Sequence, residues 1–382
     1  MLGGMRRSRA AGPSLALALL AAATILSAVD LAAQRRSENV LLVSFDGLRW
    51  QELFGGAQRE LVDAEDGGVP KGDALFALRR DFVRDDPLER RRRLMPFFWG
   101  EVAVRGQVLG DPAADAEVAV TNGHNFSYPG YAELLCGFAD PRIDSNAKRP
   151  NPNRTVLEFL HGREGYAGKV AAFTSWDVFP SIVDEARSGI PVNAGWELPE
   201  TLATDEPSRR LYESMHATLP RYWAGVRFDA LTVHAALAHV RVARPRVLYL
   251  GLGESDDWAH GRRYDLYLRA IRAADDLVAE LWGELQAMPE YRDRTTLILT
   301  TDHGRGPGPR DWTDHGAKVP DCARIWAAVM GPDTPALGIR SGVRATQAQV
   351  AATVAAALGE DWPAAEPRAA PALPAVFSDG VR

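Results

Sequence analysis

Three short apolar runs, each stopping at a glycine or a carboxylate, limit most sharply how this 382-residue chain can fold. Asn39 to Phe45 (NVLLVSF) stops at Asp46-Gly47. Arg246 to Leu252 (RVLYLGL) stops at Gly253-Glu254. Thr295 to Thr301 (TTLILTT) stops at Asp302-His303-Gly304. None alternates polar with apolar residues, so each reads as a strand buried on both faces that runs into a turn. Strands of that kind belong to a mainly parallel sheet between layers of helices, an α/β three-layer sandwich. Lys169–Phe173 and Ile325–Met330 read as further strands.

Helical periodicity fills the intervals. Tyr264, Leu268, Ile271, Ala274, Val278, Leu281 and Leu285 step by three or four residues and make one apolar stripe. Thr346 to Leu358 reads as another helix. Pro129 to Cys136 reads as a third, with Pro129 in its first turn. Glu60 to Arg93 is charge-rich and reads as a solvated helix or insertion. Residues 140–154 read as a long loop.

The first 33 residues read as a signal peptide. Arg6, Arg7 and Arg9 precede an apolar stretch from Ser14 to Ala28, with cleavage expected after Ala28 or Ala33. That stretch is shorter than the ~20 residues a membrane span needs, so export is preferred to a retained anchor. A single domain is expected over 38–360 and a Pro/Ala-rich extended tail over 361–382. The leader holds three Arg and one Asp, so its removal takes the formal charge from −6 to −8. An acidic mature chain lacks the basic footprint of a nucleic-acid-binding domain. The two cysteines, Cys136 and Cys322, are too few for a thiolate zinc set; they are a disulfide pair or buried free thiols. Nothing in the sequence specifies an oligomeric state.

The strand ends carry the chemistry. In an open parallel sheet, ligands gather at the carboxyl ends of the strands. Asp46 follows the first run. Asp256 and His260 follow the second, four residues apart, so one helical turn puts both on one face. Asp302 and His303 follow the third, and His315 comes twelve residues after His303. Asp and neutral His together suit a divalent cation at a catalytic site. Taken singly, these pieces are ordinary turns and helix caps; their order along the chain is what distinguishes them. His124, His161, His216, His234 and His239 lack such settings.

This order and spacing resembles the alkaline phosphatase superfamily, and within it is most similar to the nucleotide pyrophosphatase/phosphodiesterase branch. The resemblance implies an alkaline-phosphatase-like fold and two divalent metal ions, Zn2+ by ligand type with Mn2+ as the alternative. It implies one ion held by Asp46, Ser127, Asp302 and His303, and another by Asp256, His260 and His315. It also implies that Ser127, in Asn125-Phe-Ser-Tyr-Pro-Gly-Tyr131, is the nucleophile that forms a phosphoseryl intermediate. Read without the resemblance, Ser127 is a helix N-cap. Asn146 takes the place of a phosphoryl-binding Asn some twenty residues later, with Asn151 and Asn153 as rivals. Asp257 and Asp314, beside ligands, are either imidazole-orienting groups or exposed carboxylates. Gly130-Tyr131 departs from the Asn-His common in the phosphodiesterases. Tyr131 also stands where type I sulfatases have the Arg of their modification motif, which disfavours a sulfatase.

The expected protein is thus an exported, metal-dependent phosphoric ester hydrolase acting on a small-molecule phosphate ester, with no membrane span after signal cleavage. The alternatives are a phosphomutase-like transferase or sulfatase of the same superfamily, and a non-catalytic exported protein that binds metal or phosphate. Residues 50–115 and 140–245 are expected to build the pocket wall.

Overall fold

The computed structural model describes Met1, residues 36–199 and residues 206–378. The leader expected over residues 1–33 lies, Met1 aside, outside the described residues. Eleven strands are described: β1 (Asn39–Phe45), β2 (Gln107–Leu109), β3 (Glu117–Ala119), β4 (Val170–Thr174), β5 (Val192–Ala194), β6 (Val247–Leu252), β7 (Thr295–Thr300), β8 (Arg324–Ile325), β9 (Ala327–Met330), β10 (Gly338–Ile339) and β11 (Arg344–Thr346). Eight of them form one sheet in the order β10-β2-β9-β7-β1-β6-β4-β5, and β11-β3-β8 form a small second sheet. The segment from β7 to β5 is parallel throughout. β9 runs antiparallel to both β7 and β2. The mainly parallel expectation holds.

Both faces of β1 are buried, as its unbroken apolar run requires. Leu41, Val43 and Phe45 join one core, Val40 and Leu42 the other. The helices that position the site are α1 (Trp50–Gly55), α2 (Asp73–Phe82), α3 (Pro87–Leu94), α4 (Ser127–Cys136), α5 (Asp229–Ala243), α6 (Glu254–His260), α7 (Tyr264–Ala287), α8 (Gln349–Ala357) and α9 (Trp362–Ala365). The apolar stripe of α7 packs with α5 into the first core. Helices α4 and α8 pack into the second, which makes three layers.

The expected strand at Ile325–Met330 is two strands. β8 belongs to the small sheet and β9 to the large one, with Trp326 fully buried between them. Its Nε1 donates to the carbonyl of Leu48 at 3.0 Å, which fixes the crossing. The charge-rich insertion is helical, as α2 and α3, and lies against α7. The C-terminal segment has little regular structure, but it is no loose tail. Trp362, Leu373 and Val376 are buried in the second core, and Trp362 Nε1 donates to the carbonyl of Cys136 at 2.9 Å. Cys136 and Cys322 are both buried free thiols. Among the described residues, no helix is long and apolar enough to cross a membrane.

Candidate active site

Strand register brings the site together. Phe45 is level with Leu252, and Ser44 with Thr300, so β1, β6 and β7 end side by side. The residues that follow these ends are Asp46, the start of α6 with Asp256 and His260, and Asp302-His303. His303 Nε2 lies 3.4 Å from Asp46 Oδ1 and 3.5 Å from Asp302 Oδ2. It lies 3.8 Å from Asp256 Oδ1. His260 Nε2 is 3.1 Å from Asp256 Oδ2 and 2.9 Å from His315 Nε2. The rings of His303 and His315 lie face to face, 4.1 Å between centroids and tilted by 31°. All six residues expected at strand ends and beyond therefore converge.

Ser127 arrives from the other direction. It is the first residue of α4, not its cap. Phe126 caps the helix without a side-chain bond, so the serine hydroxyl is left for other work. Ser127 Oγ lies 3.5 Å from His303 Nε2. The loop before it is held by Glu133, one turn and a half along α4. Its buried carboxylate accepts from the backbone and side chains of Thr121 and Asn122. Close approach of α4 to the strand ends explains Gly130. A Cβ there would stand 2.4 Å from the carbonyl oxygen of Asp302.

The charges are poorly balanced without a cation. Burial first, then Asp302 and Asp256, hold Asp46 well above the usual carboxylate range. Burial, with Asp256 nearby, does the same to Asp302. Asp46 Oδ1 and Asp302 Oδ2 are buried with no hydrogen-bond partner, which is costly for a carboxylate. Loss of solvent contact depresses both imidazoles, that of buried His303 far below its usual value and that of half-buried His315 to about 4. They are neutral at pH 7 and able to donate a lone pair. Donors within reach of one another form two overlapping groups, Asp46-Asp302-His303 and Asp256-His303-His315. His260, at the exposed rim, reaches the second group through its contacts with Asp256 and His315. Neutral imidazoles beside unpartnered carboxylates fit divalent cations.

Several neighbours escaped the sequence reading. Tyr131 donates its hydroxyl to Asp46 Oδ2 at 2.9 Å. The backbone N–H of Gly47 donates to Asp302 Oδ1 at 3.0 Å. Buried Arg305 donates to Asp256 Oδ1. An arginine placed three residues after Asp302 was the available signal. Asn146 is in place at the start of α4, where its Oδ1 accepts from Tyr128 N at 2.9 Å. Its rivals are structural: Asn151 is buried and donates to the Ile182 carbonyl, and Asn153 donates to Asp140. Asp314 is exposed. His303 is instead oriented through Nδ1, 2.9 Å from the carbonyl of Gly304. Of the expected pocket wall, Lys148 and Asp177 form an ion pair at 2.7 Å.

The family model described as type I phosphodiesterase / nucleotide pyrophosphatase matches residues 117–372. No curated protein matches the chain in sequence. Among solved structures, wild-type alkaline phosphatase PafA is 11% identical with a TM-score of 0.58, covering 91% of this chain and 100% of its own. A putative sulfatase from Bacteroides thetaiotaomicron VPI-5482 is 13% identical with a TM-score of 0.53, covering 91% of this chain and 75% of its own. The phosphonate monoester hydrolase SpPMH from Silicibacter pomeroyi is 13% identical with a TM-score of 0.51, covering 86% and 74%. At these identities the likeness is one of fold.

Proposed function

Because this chain belongs to the type I phosphodiesterase/nucleotide pyrophosphatase family of phosphoric ester hydrolases, we propose that it cleaves a small phosphate ester with Ser127 as nucleophile, beside two divalent ions. The observation that carries this reading is the placement of Ser127 Oγ, free of any capping bond and 3.5 Å from His303 Nε2. Asp46, Asp302 and His303 would hold one ion, and Asp256, His260 and His315 the other. When bound, the ions supply Lewis acidity that lowers the pKa of the serine hydroxyl and neutralises charge on the phosphoryl oxygens. Zn2+ is the first choice for this donor set, with Mn2+ as the alternative.

The chain's own groups do the rest. Ser127 Oγ loses its proton to solvent and attacks phosphorus in line; the bond from phosphorus to the ester oxygen breaks, and that oxygen takes a proton from solvent and leaves as the alcohol. The positive end of the α4 dipole faces the transferring phosphoryl group. The Asn146 carbonyl oxygen is occupied by Tyr128 N, so its NH2 group is the end that can donate to a phosphoryl oxygen. Tyr131, hydrogen-bonded to Asp46, keeps that carboxylate in one orientation. Water then hydrolyses the phosphoserine and restores the hydroxyl. A sulfatase reading finds no support at Tyr131, whose hydroxyl is engaged with Asp46 where the modification motif needs an arginine. Export rests on the basic and apolar leader, and cell fractionation tests it.

The test is activity on nitrophenyl phosphate monoester, diester and sulfate after chelation, with Zn2+ or Mn2+ returned. Turnover of a phosphate ester that disappears with chelation and returns with metal supports the reading. Activity indifferent to chelation, or confined to the sulfate, defeats it.

A further inference from the structure

Arg305 is 1% exposed, carries a full charge and belongs to neither proposed donor set. Its guanidinium grips Asp256 twice. Nη2 donates to Oδ1 of the carboxylate and, at 3.1 Å, to the Asp256 backbone carbonyl. Nη1 donates to the carbonyl of Thr313, two residues before His315. One side chain, rooted in the turn after β7, therefore ties α6 to the loop that carries His315. There is no slack on the remaining side: a Cβ on Gly47 would stand 2.9 Å from Arg305 Nε and 2.8 Å from Asp256 Oδ1.

A carboxylate on a helix can turn about its last torsion. With Oδ1 held by Arg305, the Asp256 carboxylate is locked, and Oδ2 is the oxygen nearest His260, at 3.1 Å. We propose that Arg305 is a positioning residue that assembles Asp256 and His315 into a donor set for one divalent cation. This rests on the two-ion reading above. A planar fork is needed because the acceptors lie on two separate segments; a single ammonium cannot bridge them with the same geometry.

Charge alone makes the opposite prediction. A fixed cation beside the site repels a divalent ion, so its removal would tighten binding. The sign of the change decides between geometry and charge.

Calorimetric titration of the chelator-treated full chain with Zn2+ tests this, on wild type, Arg305→Met and Arg305→Lys. Wild type should bind two ions. Both variants should weaken one ion by about tenfold or more and leave the other unchanged, as loss of a ligand-orienting partner does. Arg305→Lys retains the charge and is the milder change, so it decides alone should Arg305→Met not fold. A tighter ion in Arg305→Met, full wild-type affinity in Arg305→Lys, or equal loss of both ions would overturn the positioning role. Two ions in wild type with unaltered variants defeat this inference only. Fewer than two ions in wild type defeats the two-ion reading and this inference with it.

Discussion

The Nε2 atoms of His260 and His315 lie 2.9 Å apart, although 55 positions separate the residues in the chain. Two imidazole nitrogens at that distance cannot both carry protons. They share one proton, or both lone pairs face a cation. Burial holds the His315 pKa near 4, which leaves that ring neutral at pH 7. His260 Nε2 also lies 3.1 Å from Asp256 Oδ2, so it touches one carboxylate and one imidazole, both donor types that zinc takes.

Removing the nucleophile separates chemistry from site assembly. Ser127→Ala should lower kcat by at least ~1,000-fold, the scale seen when a covalent nucleophile is deleted. Metal content should persist, because three protein donors remain in each set. Rate assays with metal analysis check both halves. A Ser127→Ala enzyme with near-wild-type turnover removes the nucleophile assignment.

Asn146→Asp is designed to keep one bond and lose another. Aspartate still accepts from Tyr128 N, so stability should stay within about 0.5 kcal/mol of wild type. It lacks the NH2 donor and sets a negative charge before an anionic substrate, so kcat/KM should fall by ~100-fold or more. Thermal unfolding and steady-state kinetics measure the two effects. Equal kinetics for the two proteins would place the phosphoryl group elsewhere.

The metal-free protein should lose stability as pH rises from about 6.5 to 8.5. Burial raises Asp46 and Asp302, and takes Asp257 to about 8 with help from Asp256 and Asp229. A carboxyl raised in the folded state stabilises fully below its unfolded pKa, and that contribution fades as pH climbs through the folded value. His303 and His315 are depressed, so their penalty acts only below about 6.5, where the unfolded imidazole charges. Above that pH the carboxyls alone set the slope. Tm of the chelated protein should drop by several degrees across the window, and less in Asp257→Asn. A rising Tm over the same range contradicts this balance.

Trp362→Ala should cost about 3–5 kcal/mol, the usual penalty for emptying a buried aromatic site. Trp362 is fully buried, and its indole N–H caps the C-terminal end of α4 at Cys136. Denaturant unfolding measures the loss. A change under 1 kcal/mol would return the C-terminal segment to the status of a tail.

Much of this was legible in the chain because burial on both faces leaves a plain mark. β1, β6 and β7 are unbroken apolar runs, and their final residues announce where ligands gather. The helix of Asp256 and His260 followed from a spacing of four. What stayed hidden depends on partners distant in sequence. No local pattern tells that Tyr131 meets Asp46, or that Arg305 reaches back to Asp256 across 49 positions. Periodicity records burial but not strand direction, so the antiparallel β9 and the break at Trp326 were invisible. Proline and alanine content gave no sign of the short helix α9, nor of where Trp362, Leu373 and Val376 would be packed.

The central claim is a pair of cations beside one hydroxyl, and anomalous X-ray scattering at the zinc edge from zinc-loaded crystals tests it most directly. Two peaks about 4 Å apart are predicted, one among Asp46, Asp302 and His303 with Ser127 Oγ in reach, the other among Asp256, His260 and His315. A single peak, or peaks away from these side chains, would contradict it.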